Sequence, residues 1–146
     1  MEQRFIMEQV LPEAWKAMYG LSLSIKKPSL TPIQRHLIMM RASQINGCAF
    51  CINMHSKEAL QLGETQQRLF LLNAWKETDV FTEEEKAILA IAEEVTLISQ
   101  HGVSDAVYKN AERFFSKETI AEIIMVSIVI NGWNRIAVST HRPIEN

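Results

Sequence analysis

Glycine and proline are scarce in this chain, with five glycines and four prolines among 146 residues. These two turn-forming residues usually make up about 12% of a protein. An all-β sandwich or barrel needs a turn about every 8–12 residues, and a disordered or collagen-like chain is richer still in glycine or proline. The scarcity therefore favours an all-α fold in which short breaks separate the helices.

The apolar content is high enough for the chain to build a core without covalent support. Apolar residues make up 47% of the sequence, and two cysteines cannot form a disulfide scaffold. A chain of this length buries roughly 68–70% of the surface that its unfolded form exposes. We therefore expect residues 1–146 to form a single domain.

Charge and hydropathy exclude several classes of partner. The formal net charge is −2 and no basic block occurs, so we expect no nucleic-acid partner. The first residues, Met1–Arg4, lack the apolar core of a signal peptide. The most apolar run, Ile123–Ile130, has 8 residues, whereas a membrane span needs about 20. We expect a cytoplasmic protein without a membrane segment, in which both thiols are reduced at rest.

Capping signals divide the chain into about six to seven helices, predicted to form one antiparallel bundle. Thr31-Pro32, Thr82 with Glu85, Ser104 and Ser116 are typical helix starts, and Asn46-Gly47 is typical of a left-handed turn. The predicted helices are Leu11–Ile25, Thr31–Asn46, Cys48–Gly63, Thr65–Trp75, Thr82–His101, Ser104–Phe115 and Ser116–Thr140.

The last predicted helix is apolar on nearly every side. Its β-branched residues would also suit a buried strand, but Glu122, Ser127, Asn131 and Arg135 interrupt the run, and no partner strand is predicted elsewhere. Such a helix must be buried on most sides. We therefore expect burial between subunits, and thus a homo-oligomer.

The segment that contains Cys48, Cys51 and His55 indicates a chemical function more clearly than any other part of the sequence. At 100° per residue, with Cys48 at 0°, Cys51 falls at about 300° and His55 at about 340°. All three side chains then lie within an arc of about 60°, and Cys51 and His55 are an i,i+4 pair whose side chains can touch. An imidazole beside a thiol can accept its proton and stabilise the thiolate, and a second thiol one turn away can close a disulfide.

The spacing leaves open which cysteine attacks first. The positive end of a helix favours Cys48, whereas contact with His55 favours Cys51. The helix-terminus effect amounts to about 0.3–1 kcal/mol, so a directly placed base favours Cys51. Two cysteines on an apolar helix can also be small core residues, but the spacing of His55 favours redox chemistry.

His36 is a further candidate, because the turn at Asn46-Gly47 folds its helix back towards Cys48. It could be a core residue, a member of a proton relay or a metal ligand. Cys48, Cys51, His55 and His36 would make a Cys2His2 set for zinc, but three ligands within one helix are crowded. We therefore expect neither a metal nor a cofactor.

The sequence around these residues resembles the carboxymuconolactone decarboxylase and alkylhydroperoxidase D-like family. The match rests mainly on Arg41–Cys51 followed by His55, with more distant support from Trp75, Phe81–Ala87 and Asn131–Arg135. The resemblance covers most of the chain from about Thr31 onward. The Asn-Gly-Cys-x-x-Cys-x3-His core carries its specificity.

The resemblance implies an all-α fold assembled into trimers or hexamers, and a thiol-dependent peroxidase activity towards hydroperoxides. It implies that Cys51 is the peroxidatic thiol, Cys48 the resolving thiol and His55 a proton-relay residue. It also implies re-reduction by a dithiol donor, such as a lipoylated or thioredoxin-like protein.

Two positions depart from the pattern of the peroxidases in that family. His36, twelve residues before Cys48, stands where they carry a glutamate, and Phe50 stands where they carry a histidine. A carboxylate can accept a proton and orient a histidine, whereas a neutral imidazole only relays a proton. We expect an altered relay, with His36 still part of it, and a higher peroxidase rate in His36→Glu.

Two further points stay open in the sequence. The family also contains proteins that are not peroxidases, so small-molecule binding or lactone decarboxylation is the alternative function. Asn131–Arg135 could line a ligand pocket, but buried Asn and Arg need partners, and a packing network favours a structural role.

Overall fold

A computed structural model describes residues 1–144, which contain nine α-helices and no strand. The helices are Met7–Val10 (α1), Pro12–Ser24 (α2), Pro32–Asn46 (α3), Ala49–Gln61 (α4), Gln66–Leu71 (α5), Glu83–Thr96 (α6), Ile98–His101 (α7), Asp105–Glu112 (α8) and Lys117–Thr140 (α9), with a 3₁₀ segment at Leu72–Glu77. The predicted all-α class is confirmed.

The two extra α-helices come from a break at Leu97 and from an N-terminal turn, neither of which the sequence pattern revealed. The predicted helix Thr82–His101 is divided at Leu97, whose backbone leaves helical geometry. The predicted helix Thr65–Trp75 becomes α5 followed by the 3₁₀ segment, and Phe70 of α5 is 77% exposed. The single turn α1 precedes the first predicted helix.

The predicted capping residues do cap their helices. The Thr31 and Thr82 side chains each accept a hydrogen bond from the backbone N–H of the third helical residue, Gln34 or Glu85. The side chain of that residue accepts in turn from the backbone N–H of the threonine, which completes a capping box at each helix. Ser104 and Ser116 each accept one backbone N–H. These bonds satisfy amides that the helix itself leaves unpaired.

Helix α3 lies at the centre of the molecule and packs against α4, α6 and α9. One apolar cluster joins α3, α6, α8 and α9 around Ile38, Ile88 and Ile123. A second joins α3 and α6 to the α5 region around Leu37, Leu72 and Leu89, and a third lies beside the cysteines. Cys48, Cys51 and His55 therefore lie in a closely packed hairpin of α3 and α4.

Helix α9 is long and apolar enough to pass for a membrane span, yet 56% of its most apolar stretch is buried within the molecule. Twelve of its residues are buried against the rest of the chain. This burial explains why α9 is apolar on nearly every side, because a helix in the core exposes little of its surface to water.

Helix α2 is attached more loosely, since none of its residues is buried. It lies against α9 through an edge-to-face contact between Trp15 and Trp133, whose ring centroids are 4.7 Å apart. The indole N–H of Trp133 donates to the Ser22 hydroxyl at 2.8 Å. Gly132 lies at this contact, and a β-carbon there would lie 2.5 Å from Met18 Cε, the flexible end of a side chain that would have to shift. These contacts place α2 over the space between α4 and α9.

Candidate functional site

The two cysteines are joined as a disulfide where α4 begins. Their Cα atoms are 5.4 Å apart, and both residues are at most 2% exposed. The turn before them is built by Gly47, whose left-handed backbone (φ 64°) ends α3. This turn is the one predicted from Asn46-Gly47, and it sets the direction of the whole α4 helix.

Cys48 lies just outside α4 rather than on its face. It is the N-cap residue, with an extended backbone, and its sulfur accepts the Cys51 N–H at 3.3 Å. The helix terminus and this N–H would both stabilise negative charge on the Cys48 sulfur in the reduced protein. The helical-wheel position predicted for Cys48 is therefore wrong, although Cys51 and His55 do lie in α4.

A cavity of about 610 Å³ lies between α2, α3, α4 and α9. Of the two cysteines, Cys51 is the one in its wall. The walls are largely apolar and include the aromatic rings of Trp15, Tyr19, Phe50 and Trp133. Cavities of roughly 300–1,000 Å³ are typical of sites that enclose a small organic molecule.

Three titratable side chains lie together in the same wall. Glu58 Oε2 lies 2.9 Å from His55 Nδ1 and 3.0 Å from His36 Nε2. The centroids of the two imidazole rings are 5.7 Å apart. His36 comes from α3, whereas His55 and Glu58 come from α4. The carboxylate thus bridges two histidines across the hairpin.

Hydrogen bonds from the two histidines hold the pKa of Glu58 near 2. The bond from His55 is the largest cause and the bond from His36 adds to it, while partial burial opposes both. Glu58 is therefore ionised at neutral pH and can only accept hydrogen bonds. It follows that Nδ1 of His55 carries a hydrogen and that Nε2 of His55 is the nitrogen able to take up a proton.

His36 lies between two acceptors. Its Nδ1 lies 2.8 Å from the Pro32 carbonyl oxygen, and its Nε2 faces Glu58. The ring of His36 is thus held between a backbone carbonyl of its own helix and the Glu58 carboxylate of α4.

The structure brings Cys51, His55 and His36 to one cavity, as the sequence analysis expected, but through a residue that analysis missed. Position 36 carries no carboxylate, as the sequence shows, but Glu58 supplies one to the same two histidines from α4. The signal was present: Glu58 lies three residues after His55, and at 100° per residue it falls at about 280°, beside Cys51.

Only some of the four residues considered as zinc ligands converge in the structure. The ligand atoms of His36, His55 and Glu58 lie within 4.8 Å of one another, so these three side chains could hold one metal ion. Cys48 and Cys51 are bonded to each other instead. The Glu58 carboxylate already contacts His36 Nε2 and His55 Nδ1, and such hydrogen bonds suit proton transfer without a metal.

The segment Asn131–Arg135 proves to have two roles. Asn46 Nδ2 donates to the side-chain oxygens of both Asn131 and Asn134, each at 2.9 Å. Asn134 in turn donates to Ser43, and Arg135 donates to Asn131. These bonds form the packing network expected from the sequence. Trp133, in contrast, lines the cavity, which that interpretation did not foresee.

Comparison with known proteins places this arrangement in a family. Residues 10–94 match the carboxymuconolactone decarboxylase family model. The chain is 39% identical over 139 residues to the uncharacterized protein YdfG of Bacillus subtilis (strain 168), covering 95% of each protein.

Solved structures agree with that assignment. ATU0492 of Agrobacterium tumefaciens, a protein of unknown function named as a candidate antioxidant defence protein AhpD, superimposes with a TM-score of 0.95. It is 37% identical and the alignment covers 99% of each chain. The debrominase Bmp8 shares the fold at 22% identity, with a TM-score of 0.82, over 92% of this chain and 72% of its own. The chain belongs to the carboxymuconolactone decarboxylase family, within its AhpD-like helical fold.

Proposed function

We propose that this protein is a thiol-dependent peroxidase that reduces organic hydroperoxides through Cys51 and Cys48. The observation that carries the proposal is the position of Cys51 in a cavity wall shared with His55, Glu58 and His36. An exposed surface thiol would have no such enclosure. A base within reach of the thiol and a second thiol one turn away are the groups that this chemistry needs.

The first step is an attack by the Cys51 thiolate on the terminal oxygen of the hydroperoxide. The S–O bond forms as the O–O bond breaks, so Cys51 is oxidised to a sulfenic acid and the hydroperoxide is reduced to an alcohol. His55 Nε2 takes the thiol proton and returns it to the departing oxygen. Glu58 and His36 hold the tautomer and orientation of His55 during this transfer.

The second step closes the disulfide. The Cys48 thiolate attacks the sulfenic sulfur of Cys51, and water leaves with the hydroxyl and one proton. The resulting product is the disulfide state that the structure represents. The N–H of Cys51 beside the Cys48 sulfur would lower the proton affinity of the resolving thiol.

A dithiol must then return two electrons to the disulfide. A lipoylated or thioredoxin-like protein fits this requirement, and dihydrolipoamide is a suitable small probe. Because both cysteines are at most 2% exposed, a long, thin thiol arm would reach them more readily than a folded surface.

Steady-state turnover tests the proposal. The reduced protein is mixed with cumene hydroperoxide and dihydrolipoamide, and loss of peroxide is followed. We expect catalytic loss in the wild type and none above background in Cys51→Ser or Cys48→Ser. Equal rates in wild type and both variants would reject the proposal.

The second candidate is a family member that binds or converts a small molecule without thiol chemistry. The large apolar cavity favours this alternative, because it would suit a ligand whether or not the cysteines react. Under this alternative, ligand turnover in the Cys48→Ser and Cys51→Ser variants equals that of the wild type.

We also propose that the protein is a homo-oligomer. Ile128 and Val138 of α9 are 45% and 47% exposed, and the groove beside Ile128 includes Val95 and Arg135. Sedimentation equilibrium would measure the mass, and a trimer or hexamer is the expected result.

A further inference from the structure

His36, His55 and Glu58 direct three metal-ligand atoms towards one point in the cavity wall. Glu58 Oε2 lies 2.9 Å from His55 Nδ1 and 3.0 Å from His36 Nε2, and the three atoms lie within 4.8 Å of one another. The ligands of a tetrahedral zinc ion, with bonds of about 2.1 Å, stand about 3.4 Å apart. The Glu58 side chain is 46% exposed, so small adjustments of this carboxylate and of the two rings would suffice to enclose an ion.

The three groups are hydrogen-bond partners of one another, so a bound ion would take the place of the hydrogens between them. Two imidazole nitrogens and one carboxylate oxygen are a donor set of catalytic zinc sites. Mg²⁺ and Ca²⁺ prefer oxygen ligands, whereas imidazole suits zinc and its neighbours among the transition metals. The donor set therefore selects a transition-metal ion such as Zn²⁺.

The backbone of α3 prepares His36 for this role. Its Nδ1 lies 2.8 Å from the Pro32 carbonyl oxygen, and a hydrogen bond to that oxygen requires Nδ1 to be the donor. Histidines that bind a metal usually donate their other ring N–H to a carbonyl or a carboxylate in this way. His36 can therefore present Nε2 to an ion while its ring stays anchored to its own helix.

An ion could reach these ligands from the cavity without any change in the cysteines. All three side chains line the cavity, which can supply water to a coordination position that the protein leaves open. Cys48 and Cys51 are bonded to each other, so neither thiol is needed as a ligand. The site is therefore complete in the disulfide form of the protein.

We propose that His36 Nε2, His55 Nδ1 and Glu58 Oε2 form a binding site for Zn²⁺ or a related transition-metal ion, and that the bound ion blocks the proton relay. A neutral His55 ring that binds an ion through Nδ1 keeps its hydrogen on Nε2. That nitrogen then cannot take the proton of the Cys51 thiol. The binding is independent of the proposed function, whereas the block rests on it.

Calorimetry on the full-length disulfide form tests the binding, because its cysteines cannot act as thiolate ligands. Titration with ZnCl₂ should show one ion bound per chain, and MgCl₂ should show none. His36→Gln and Glu58→Gln should each weaken zinc binding at least about tenfold. His101→Gln is the control, because His101 is exposed on α7 and lies outside the cavity. No zinc binding, equal binding of Mg²⁺, or an unchanged zinc affinity in both site variants would overturn the proposal.

Nitrogen NMR identifies the ligand atoms directly. In the disulfide form labelled with ¹⁵N at histidine, zinc should shift the resonances of His36 Nε2 and His55 Nδ1 strongly. The ring nitrogens of His101 and His141 should change little. Shifts confined to those two histidines would locate the ion elsewhere and would overturn the proposal, even if calorimetry shows one ion per chain.

Single-turnover oxidation tests the block. The reduced protein is mixed with cumene hydroperoxide without an added dithiol, and loss of peroxide is followed at increasing zinc concentration. Zinc should slow the wild type, and His36→Gln should need at least about tenfold more zinc to reach half of its own zinc-free rate. Equal zinc sensitivity would show that zinc acts through the thiols and would overturn the block. Absence of peroxide loss without zinc would reject the peroxidase proposal and the block with it, whereas the metal site is decided by calorimetry and NMR alone.

Discussion

Nε2 of His36 and Oε2 of Glu58 lie 3.0 Å apart across the hairpin of α3 and α4. The same carboxylate oxygen also contacts His55, so one acidic group links a histidine on each helix. The sequence resemblance pointed to a site that lost its carboxylate at position 36. The structure instead has the imidazole on α3 and the carboxylate on α4, which keeps both kinds of group in the site.

Removing the charge of Glu58 should slow thiol oxidation. In Glu58→Gln, a neutral amide replaces the ionised carboxylate that contacts both His55 and His36. We expect peroxide-driven oxidation of the thiols to fall at least about tenfold. Stopped-flow loss of peroxide gives the rate. Glu112→Gln, at an exposed position on α8, is the matched control and should match the wild type. An unchanged rate in Glu58→Gln would place the carboxylate outside the mechanism.

The same residue predicts a pH-dependent stability. Because its pKa falls from 4.5 to about 2 on folding, ionised Glu58 stabilises the native state fully above pH 4.5. That stabilisation is lost as the pH falls from about 4.5 towards 2. The urea midpoint of the wild type should therefore exceed that of Glu58→Gln at pH 5, and the difference should shrink by pH 3. A constant difference would contradict the assigned hydrogen bonds.

The contact between His36 and Glu58 predicts an effect of His36→Glu opposite to the one expected from the sequence resemblance. A glutamate at position 36 would face Glu58 in place of an imidazole, and two carboxylates in contact cannot both stay ionised without cost. We expect a slower reaction than in the wild type, instead of the gain suggested by the resemblance. His36→Gln, which is neutral, should fall between the two. A faster rate in His36→Glu would show that Glu58 does not serve His55.

Asn134 tests the network that joins α3 to α9. Its side chain is 1% exposed, accepts from Asn46 and donates to Ser43. Asn134→Ala leaves those buried partners incompletely paired, which costs about 1–3 kcal/mol in the free energy of unfolding. Urea denaturation measures the loss. Asn110→Ala removes only an exposed contact with Arg113, so its change should stay within about 0.5 kcal/mol.

Local signals in the sequence predicted most of the helix starts and the hairpin of α3 and α4. The threonines and serines at positions 31, 82, 104 and 116 act within one turn of themselves, so their roles follow from neighbouring residues. Gly47 likewise sets its turn through its own backbone freedom. These features need no knowledge of the tertiary fold.

The features that the sequence did not predict depend on contacts between distant segments. Trp15 and Arg142 lie near opposite ends of the chain and meet only at the cavity. Periodicity also did not predict the break at Leu97, which the structure shows in the backbone angles of that residue. The helical wheel places Glu58 on the same side of α4 as Cys51. Its contact with His36, however, depends on how α3 packs against α4.

A single-turnover experiment tests the central claim most directly. Fully reduced protein is mixed with one equivalent of cumene hydroperoxide, and free thiols, peroxide and peptide masses are measured. We predict the loss of two thiols and one peroxide per chain, with a disulfide between Cys48 and Cys51. In Cys48→Ser, dimedone should trap a sulfenic acid on Cys51. Thiols that survive excess peroxide, or a sulfenic acid formed on Cys48 in Cys51→Ser at the wild-type rate, would contradict the account.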